Sequence, residues 1–232
     1  KINECRICKI KDLKKIIDLK SQYIQGSFIK KNFPKPYLKK IPLQLVLCSR
    51  CTLVQLLHTT KKEILYKNYW YESGINKTMK LHLNALVSEL YSIKQNEIKK
   101  IKVLDIGCND GTLLNYYPKT VEKYGIDPSQ IIERINKKKI NVIRDFFPPQ
   151  KKNLKNLKIK FDLITSIAMF YDLDDPNSFV NDVKKCLDEN GIWILQMAYL
   201  PSMLEKNAFD NIGHEHIEYY SFKSLNQLIE NY

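Results

Sequence analysis

Apolar residues form short runs in the second half of the chain, and patterns of helical period separate these runs. Runs with the length of a buried strand lie at 101–106, 121–127, 140–144, 161–168 and 192–198. Between the last two, apolar residues recur every three or four positions over 176–190, which predicts a helix. Strands that alternate with helices predict an α/β domain with a doubly wound, mostly parallel sheet, whose ligands bind at the carboxyl ends of the strands.

The first half of the chain has a different pattern. Two β-rich arms, 42–47 and 52–57, flank a cysteine turn and predict a hairpin. A helix is predicted from Ile75, with an apolar face that consists of Met79, Leu83, Leu86, Leu90 and Ile93. Residues 33–36 and the basic stretch 150–160 are predicted loops.

The six cysteines include two Cys-x-x-Cys pairs, Cys5/Cys8 and Cys48/Cys51. A spacing of two residues lets both thiolates of a pair turn toward one ion, and two such pairs complete a tetrahedral site. Four protein ligands leave no position for water, so the pattern predicts a structural zinc ion. Four independent buried or redox cysteines are the alternative, and His58 could replace one thiolate.

The first strand of the α/β region runs into a glycine turn at 107–111, and a predicted helix follows. Glycines let the backbone approach a ligand, and a helix start presents free N–H groups. The turn lacks the dinucleotide pattern G-x-G-x-x-G, because Asn109 stands at its second glycine position. From Asp105, the sequence Asp-Ile-Gly-Cys-Asn-Asp-Gly is similar to motif I of the class I S-adenosylmethionine (SAM) methyltransferases. The alternative is an ordinary strand-to-helix turn of an α/β protein.

Three further residues stand at the carboxyl ends of predicted strands. Asp127 lies about 20 residues after the turn, where such folds place a carboxylate on the ribose hydroxyls. A helix cap is the alternative role, and the two are compatible. In SAM enzymes an acid at the position of Asp145 often meets the adenine amine, and the strand that ends at Ala168 should face the methyl donor. The predicted cofactor site combines Asp105, Gly107, Asn109, Gly111, Asp127, Asp145 and Ala168.

The stretch 66–74 is the most aromatic of the chain and contains Tyr69 and Tyr71. Tyrosine and tryptophan can line a ligand pocket, because each has an apolar body and a polar tip. Packing between two domains explains the cluster equally well, and both interpretations stay open.

The loop after the fifth strand contains the catalytic candidates His214, Glu215 and His216. Histidine titrates near neutrality, so a loop histidine beside a carboxylate over a cofactor cleft is a natural general base. A polar surface loop and a second metal site are the alternatives. Adjacent residues point apart, which argues against the metal.

The net charge is +13 and the pI about 9.3. Because lysines are scattered through nearly every segment, a nucleic-acid partner is disfavoured, whereas a small anion such as a nucleotide diphosphate suits a positive field. No apolar run approaches the roughly 20 residues of a membrane span, and there is no signal-peptide pattern. These features predict a cytoplasmic protein without a membrane partner, and they leave its oligomeric state open.

The cysteine pairs, the aromatic stretch before Ser73-Gly74, the glycine turn and His-Glu-His followed by Tyr-Tyr-Ser occur in this order. Together they resemble the SAM-dependent sugar C-methyltransferases, which act on nucleotide-linked 4-keto deoxysugars. The resemblance implies that His216 removes the proton beside the ketone and that the enolate carbon then attacks the methyl group of SAM. It also implies that Glu215 orients the base or binds the sugar, and that a tyrosine of the aromatic stretch contacts the substrate. Some members have a tyrosine where this chain has Gly213.

The predicted domains are a zinc-binding module at 1–62, an aromatic and helical bridge at 63–98, and a SAM-binding methyltransferase domain at 99–232. Class I sheets usually add a sixth and a seventh strand, so a truncated carboxyl end is expected. The leading hypothesis is carbon methylation of a nucleotide-linked 4-keto deoxysugar. An RNA base methyltransferase with a zinc knuckle and a non-catalytic zinc-stabilised binding module are the rival hypotheses.

Overall fold

The computed structural model describes residues 1–25, 39–66, 69–96, 100–149 and 159–232. The strands, numbered in chain order, are β1 (Leu13–Gln22), β2 (Ile41–Cys48), β3 (Val54–Leu56), β4 (Lys102–Ile106), β5 (Glu122–Ile126), β6 (Asn141–Ile143), β7 (Phe161–Ile167), β8 (Leu187–Gln196) and β9 (Glu218–Tyr219). The α-helices are α1 (Lys62–Tyr66), α2 (Lys77–Lys94), α3 (Thr112–Tyr116), α4 (Pro176–Cys186), α5 (Leu200–Glu205) and α6 (Phe222–Ile229). Short 3-10 helices lie at Gln130–Arg134, Phe170–Asp172 and Phe209–Asn211. The predicted loop at 33–36 and residues 150–158 of the other predicted loop lie outside the described residues.

The chain divides into two compact units. Unit 1 comprises 1–62, 168–180 and 197–232, and unit 2 comprises 63–167 and 181–196. This division differs from the predicted domains, because the bridge 63–98 belongs to unit 2. The two later segments of unit 1 also fold with the N-terminal module, although the sequence places them in the methyltransferase domain. The physical reason is that β9, near the end of the chain, pairs with β3 of that module.

Unit 2 is built on a sheet that has five strands within the described residues. Its order is β6-β5-β4-β7-β8, and every neighbouring pair is parallel. Strand β4 is nearly all buried, as a central parallel strand requires. From β4 the chain proceeds to β5 and β6 on one side and to β7 and β8 on the other. The predicted doubly wound sheet of the class I methyltransferase fold is confirmed, and its switch point lies at the carboxyl end of β4.

The core of unit 2 forms where α2 and α3 cover this sheet. Helix α2 begins at the cap Asn76, and its buried face holds Leu83, Val87 and Leu90. These residues belong to one apolar cluster with residues of β4, α3 and β7. Gly125 of β5 permits this close packing, because a Cβ there would lie 2.7 Å from the sulfur of Cys108.

Two helices differ from the predicted pattern. Between β5 and β6, where the helical pattern between apolar runs predicts a helix, the chain forms a short 3-10 helix, Gln130–Arg134. Its apolar residues Ile131 and Ile132, and Ile135 after it, are buried. Helix α4 ends at Cys186, earlier than the predicted Asn190, because Leu187 already pairs with Phe161 at an irregular start of β8.

Unit 1 is built on an antiparallel sheet of order β1-β2-β3-β9. The predicted hairpin is confirmed, because β2 and β3 flank the second cysteine pair and pair with each other. An apolar cluster joins Leu43, Leu45 and Leu56 of the N-terminal module to Ile217 and Tyr219. The final segment of the chain, 197–232, therefore completes the core of the cysteine-containing unit. Among the described residues, no helix has both the length and the apolar character to cross a lipid bilayer.

Candidate functional site

The two cysteine pairs of unit 1 meet at one point. Cys5, Cys8, Cys48 and Cys51 place their sulfur atoms within 4.8 Å of one another. The sulfur of Cys5 lies 3.4 Å from that of Cys51, and the same distance separates Cys8 and Cys48. Four sulfurs at the corners of a zinc tetrahedron lie about 3.8 Å apart, given a Zn–S bond of about 2.3 Å. The donor set and its spacing therefore fit a structural zinc ion, which would have no open position.

Each cysteine turn closes in the same way. The N–H of Lys9 donates to the carbonyl of Cys5 at 3.1 Å, and the N–H of Thr52 donates to the carbonyl of Cys48 at 3.1 Å. Both Lys9 and Thr52 have positive φ angles, of 58° and 61°, which residues with a Cβ rarely adopt. The turns therefore hold backbone strain that a bound metal would offset.

In unit 2 the glycine turn lies at the switch point of the sheet. Gly107, Asn109 and Gly111 have positive φ angles of 77°, 52° and 75°. The N–H groups of Gly107 and Cys108 both donate to the carbonyl of Ile126 at the end of β5. The turn is thus tied to the neighbouring strand, and asparagine replaces a glycine at a position with left-handed geometry.

Asp127 is buried beside this turn and already has protein partners. One carboxylate oxygen accepts the N–H of Asn109 at 2.9 Å. The other accepts the N–H of Ser129 at 2.8 Å and the Ser129 hydroxyl at 2.6 Å. Each carboxylate oxygen has two lone pairs, so the oxygen bound to Asn109 can accept a second donor. The contacts to Ser129 agree with the predicted cap, and those to Asn109 place the carboxylate against the turn.

Asp105 lies near the carboxyl end of β4 and is 3% exposed. Its carboxylate accepts the hydroxyl of Thr165 on β7 at 2.6 Å. Burial raises the pKa of Asp105 to about 7, and the hydrogen bond from Thr165 opposes the shift. Asp105 therefore changes charge near neutrality, and it links the two central strands.

Three hydrogen bonds attach the aromatic stretch to the glycine turn. The amide of Asn109 donates to the carbonyl of Tyr71 at 2.8 Å and accepts the N–H of Ser73 at 3.0 Å. One carboxylate oxygen of Asp110 accepts the N–H of Gly74 at 2.8 Å, and the other caps α3 through the N–H of Thr112 at 3.0 Å. We call this set of contacts the 71–74 clasp. It brings the backbone of Tyr71 to the turn, within unit 2.

The rings of the aromatic stretch have different surroundings. Tyr71 is partly buried and packs edge-on against Trp70, with 6.2 Å between ring centroids. Burial raises the pKa of Tyr71, and the charge of Asp110 adds to the shift. Tyr69 packs against Tyr66 at 5.7 Å. Of the two predicted tyrosines, Tyr71 is thus the one whose own backbone is bound to the turn.

The remaining predicted cofactor residues follow two other strands. Asp145 comes just after β6 and accepts the N–H of Phe146 at 2.8 Å. Ala168 follows β7 directly, is exposed, and has a positive φ of 53°. Such an angle is uncommon for alanine, so the chain makes a sharp turn where β7 ends.

His216 in unit 1 has a defined tautomer. Its Nδ1 lies 2.8 Å from the carbonyl oxygen of Asn211, which can only accept, so Nδ1 carries the proton. In the neutral ring Nε2 therefore holds the lone pair, and no hydrogen-bond partner for Nε2 is found in the described part of the chain. Burial lowers the pKa of His216, against the effect of the Asn211 carbonyl. Tyr171 packs edge-on against the ring at 4.5 Å.

The two neighbours of His216 differ from each other. His214 is 1% exposed, and its Nε2 lies 3.1 Å from the carbonyl of Ile41 on β2. Glu215 is partly buried, burial raises its pKa, and it has no hydrogen-bond or ion-pair partner among the described residues. His214 thus contacts the sheet, whereas the carboxyl group of Glu215 is available to a ligand.

The structure divides the predicted residues between the two units. Unit 2 brings together Asp105, the glycine turn, Asp127 and Tyr71, whereas unit 1 holds the cysteines and the His-Glu-His triplet. Sequence analysis missed the partners that orient these groups, which are Thr165, Asp110, Asn211 and Tyr171. Asp110 stands inside the motif and could have been proposed. The role of the Asn211 carbonyl depends on backbone geometry, so no side chain could have signalled it.

Comparisons with known proteins agree with this geometry. Residues 76–232 match the methyltransferase domain family, and residues 5–66 match a family described as a putative zinc binding domain. The chain is 25% identical over 240 residues to the C-methyltransferase NovU of Streptomyces niveus. This alignment covers 100% of the chain and 56% of NovU. It is also 32% identical over 115 residues to a tRNA U34 carboxymethyltransferase of Campylobacter jejuni. That alignment covers 45% of the chain and 38% of the relative. The chain therefore spans about half or less of the length of these relatives.

Among solved structures, the chain is similar to the plantazolicin methyltransferase BamL, determined in complex with a triazolic desmethylPZN analog and SAH. The TM-score is 0.51 at 22% identity, over 67% of this chain and 62% of BamL. This likeness concerns the fold. Since the family model covers well over half of the residues, and the sheet has the order that the fold requires, the chain belongs to the methyltransferase domain family.

Proposed function

We propose that the chain is the methyl-transferring part of a SAM-dependent C-methyltransferase that acts on a nucleotide-linked 4-keto deoxysugar. The observation that carries the proposal is the fixed tautomer of His216, whose Nδ1–H donates to the Asn211 carbonyl. A histidine held in this way presents Nε2 as a proton acceptor, which methyl transfer to carbon requires and transfer to many heteroatoms does not.

The residues of unit 2 fit the methyl donor. Its adenosine would lie across the turn 107–111, with Asp127 on the ribose and Asp145 beside the adenine, while Asp105 supports the turn from below. Ala168, the predicted donor contact that directly follows β7, belongs to unit 1. SAM supplies an electrophilic methyl group on a sulfonium ion, and these residues hold and orient it. The 71–74 clasp places Tyr71 at the same turn.

His216 performs the proton transfer. Its Nε2 takes the proton from the sugar carbon beside the ketone, the C–H electron pair moves into the new C=C bond, and the carbonyl oxygen takes the negative charge. SAM, when bound, would supply the methyl group to the enolate carbon and would leave as a neutral thioether. Because burial lowers the pKa of His216, the base remains neutral and ready at neutral pH.

The neighbours of His216 have separate roles in this proposal. Glu215 binds a hydroxyl of the sugar, because its partly buried carboxyl group is unpaired within the described residues. His214 positions the loop through its contact with the Ile41 carbonyl, and it does not touch substrate. Tyr71 contacts the substrate, and Tyr69, whose ring packs against Tyr66, is the second candidate for this contact.

Two observations support the sugar substrate. The similarity to NovU, a C-methyltransferase, extends over the whole chain, whereas the similarity to the tRNA enzyme covers less than half of it. The residues quoted above for the sugar C-methyltransferases also occur in the same order.

The test separates proton removal from methyl transfer. The chain is incubated in D2O with nucleotide-linked 4-keto deoxysugars and without SAM, and deuterium at the carbon beside the ketone is measured by mass spectrometry. Methyl transfer is measured in parallel with labelled SAM. The variant His216→Asn keeps a donor for the Asn211 carbonyl but has no base, so both reactions should fall by about 10³-fold, an amount typical of a lost general base.

The matched control is His82→Asn, an exposed position on α2, which should keep both activities. Undiminished deuterium incorporation in His216→Asn would remove His216 from the role of base. Methyl transfer to transfer RNA in place of the sugars would instead favour the second candidate, an RNA methyltransferase. That candidate has the tRNA-enzyme similarity and the charge of +13 in its support.

A further inference from the structure

A buried polar network adjoins the cysteine cluster in unit 1. Arg6, between Cys5 and Cys8, is 3% exposed, and Gln55 on β3 is fully buried. The side-chain amide of Gln55 donates to the sulfur of Cys5 at 3.2 Å, and its oxygen accepts the N–H of Arg6 at 3.1 Å and the guanidinium at 3.2 Å. Gln55 therefore ties a cysteine of the cluster and its turn directly to strand β3.

Strand β3 in turn holds the segment that follows His216. Gln55 pairs with Glu218 and Val54 pairs with Tyr219 in the antiparallel ladder. The N–H of Leu56 donates to the carbonyl of Ile217 at 2.8 Å. Ile217 directly follows His216, so β3 is hydrogen-bonded to the residue next to His216.

The same network continues on the side chains of β9. The hydroxyl of Tyr220 donates to Glu218 at 2.8 Å, and the guanidinium of Arg6 attracts the carboxyl group of Glu218. Arg6 also donates to the Leu56 carbonyl at 2.8 Å and to the hydroxyl of Thr59 at 2.8 Å. Each of these groups is costly to bury without its partners, so the hydrogen bonds restrain the cysteine turn, β3 and β9 relative to one another.

Strand β9 joins the sheet through its pairing with β3. It is two residues long, stands at the edge of the sheet, and pairs within the sheet with β3. The second cysteine turn ends at Thr52, only two positions before β3 begins, and Thr52 has a strained positive φ. A relaxation of this turn therefore moves β3, and β3 carries β9 with it.

We infer that the zinc site is a positioning device for His216, acting through Gln55, β3 and β9 as well as stabilising the N-terminal module. The inference rests on the proposed function for the role of His216, but the mechanical link does not depend on it. The zinc ligands would therefore affect the rate of catalysis without contacting substrate or methyl donor.

The first experiment measures the link without any activity. The zinc-loaded chain and the same chain after treatment with a chelator are compared by amide hydrogen exchange. Exchange across 209–221 should accelerate by about tenfold or more on removal of zinc, as expected for a lost local structure. Peptides from 101–127 in unit 2 serve as the internal control and should not change. Equal protection of 209–221 with and without zinc would overturn the inference.

The second experiment leaves the metal in place. Gln55→Leu keeps the approximate volume and all four cysteines but removes both links from the amide, whereas Gln44→Leu alters the neighbouring strand β2 away from the cluster. Zinc content should stay at one per chain in both variants. Faster exchange across 209–221 and a kcat about tenfold lower, with an unchanged KM for SAM, are expected for Gln55→Leu only.

The two proposals fail separately. A loop that loosens on zinc removal while His216→Asn remains active would reject the proposed base and retain the link. A loop that is unaffected by chelation and by Gln55→Leu, beside an inactive His216→Asn, would retain the base and reject the link.

Discussion

Unit 1 and unit 2 assemble their candidate residues in opposite ways. In unit 2 the bond from Asn109 to Asp127 spans 18 positions, because adjacent parallel strands deliver consecutive turns to one edge. In unit 1 the contact of His214 with Ile41 spans 173 positions, and that of Asn177 with Arg6 spans 171. Closing a longer loop costs more conformational entropy, and the free energy of metal binding can offset this cost. The comparison suggests that unit 2 depends on its own core, whereas unit 1 depends on the metal.

The largest expected effect comes from breaking unit 1 alone. Cys8→Ser removes the least buried of the four cysteines from the cluster. Structural zinc contributes about 10–16 kcal/mol in small metal-dependent modules, which is as large as the whole stability of a typical domain. We therefore expect loss of zinc and of amide protection in β2 and β3.

Unit 2 should be unaffected in that variant, and its two tryptophans, Trp70 and Trp193, report on it alone. Their emission should be unchanged. Cys186→Ser, a buried cysteine outside the cluster, is the matched control and should keep its zinc. Retained protection of β2 and β3 in metal-free Cys8→Ser would contradict the dependence of unit 1 on zinc.

The complementary experiment destabilises unit 2. Leu163 on β7 is fully buried between β4 and β8, so Leu163→Ala should cost about 2–5 kcal/mol. The change in tryptophan emission should occur at a lower urea concentration than in the wild type. Zinc should be released at the same urea concentration as in the wild type. Leu204→Ala, at a position that is 69% exposed, should change neither transition. A zinc release that shifts with the tryptophan signal would show that the two units unfold together.

A smaller effect sharpens the comparison at the methyl-donor turn. Asn109→Gly keeps the left-handed backbone but removes the two side-chain contacts of the 71–74 clasp. Each lost hydrogen bond costs about 1 kcal/mol, so the affinity for SAM should fall by about tenfold, as measured by calorimetry. Asn136→Gly, an exposed asparagine of the same unit, should bind SAM normally. Normal binding by Asn109→Gly would show that the clasp does not support the donor site.

The pH dependence of the stability of unit 2 provides a further test. Burial raises the pKa of Asp105 from 3.8 to about 7, so the folded state retains a proton that the unfolded state releases. The contribution is therefore most favourable at low pH and is lost as the pH rises toward and through 7. Asp105→Asn cannot ionise and should unfold in urea with less dependence on pH between 5 and 8. If the urea midpoint of the wild type does not fall relative to that of Asp105→Asn between pH 5 and 8, the raised pKa of Asp105 is contradicted.

Sequence analysis was most successful where chemistry is local. The five parallel strands were predicted within a few residues, except for the start of β8. The cysteine cluster was also predicted, because the Cys-x-x-Cys spacing already constrains two ligands in one turn. The strain at Lys9 and Thr52 could not have been predicted, because neither residue type indicates a positive φ.

The candidate site was predicted as a set of residues, but their orientations were not. The resemblance to the sugar C-methyltransferases selected His216 over His214 as the base, but only the structure shows how the two histidines differ in burial and in partner. The same holds for Tyr69 and Tyr71, since the clasp binds the backbone of one of them. Their functional roles remain predictions that the experiments above address.

By itself the sequence determined the class of the fold, the four-thiol cluster and the glycine turn, because periodicity and close spacing act over a few residues. The tertiary structure decided that the His-Glu-His segment folds with the cysteine-containing unit, and which nitrogen of His216 bears the proton. The first feature depends on contacts between segments far apart in the chain, such as His214 with Ile41, which are 173 positions apart. The second depends on the carbonyl of Asn211, five positions from His216, and therefore on the backbone geometry of the folded loop. The cost of closing such loops depends on the whole fold, so no local pattern records them.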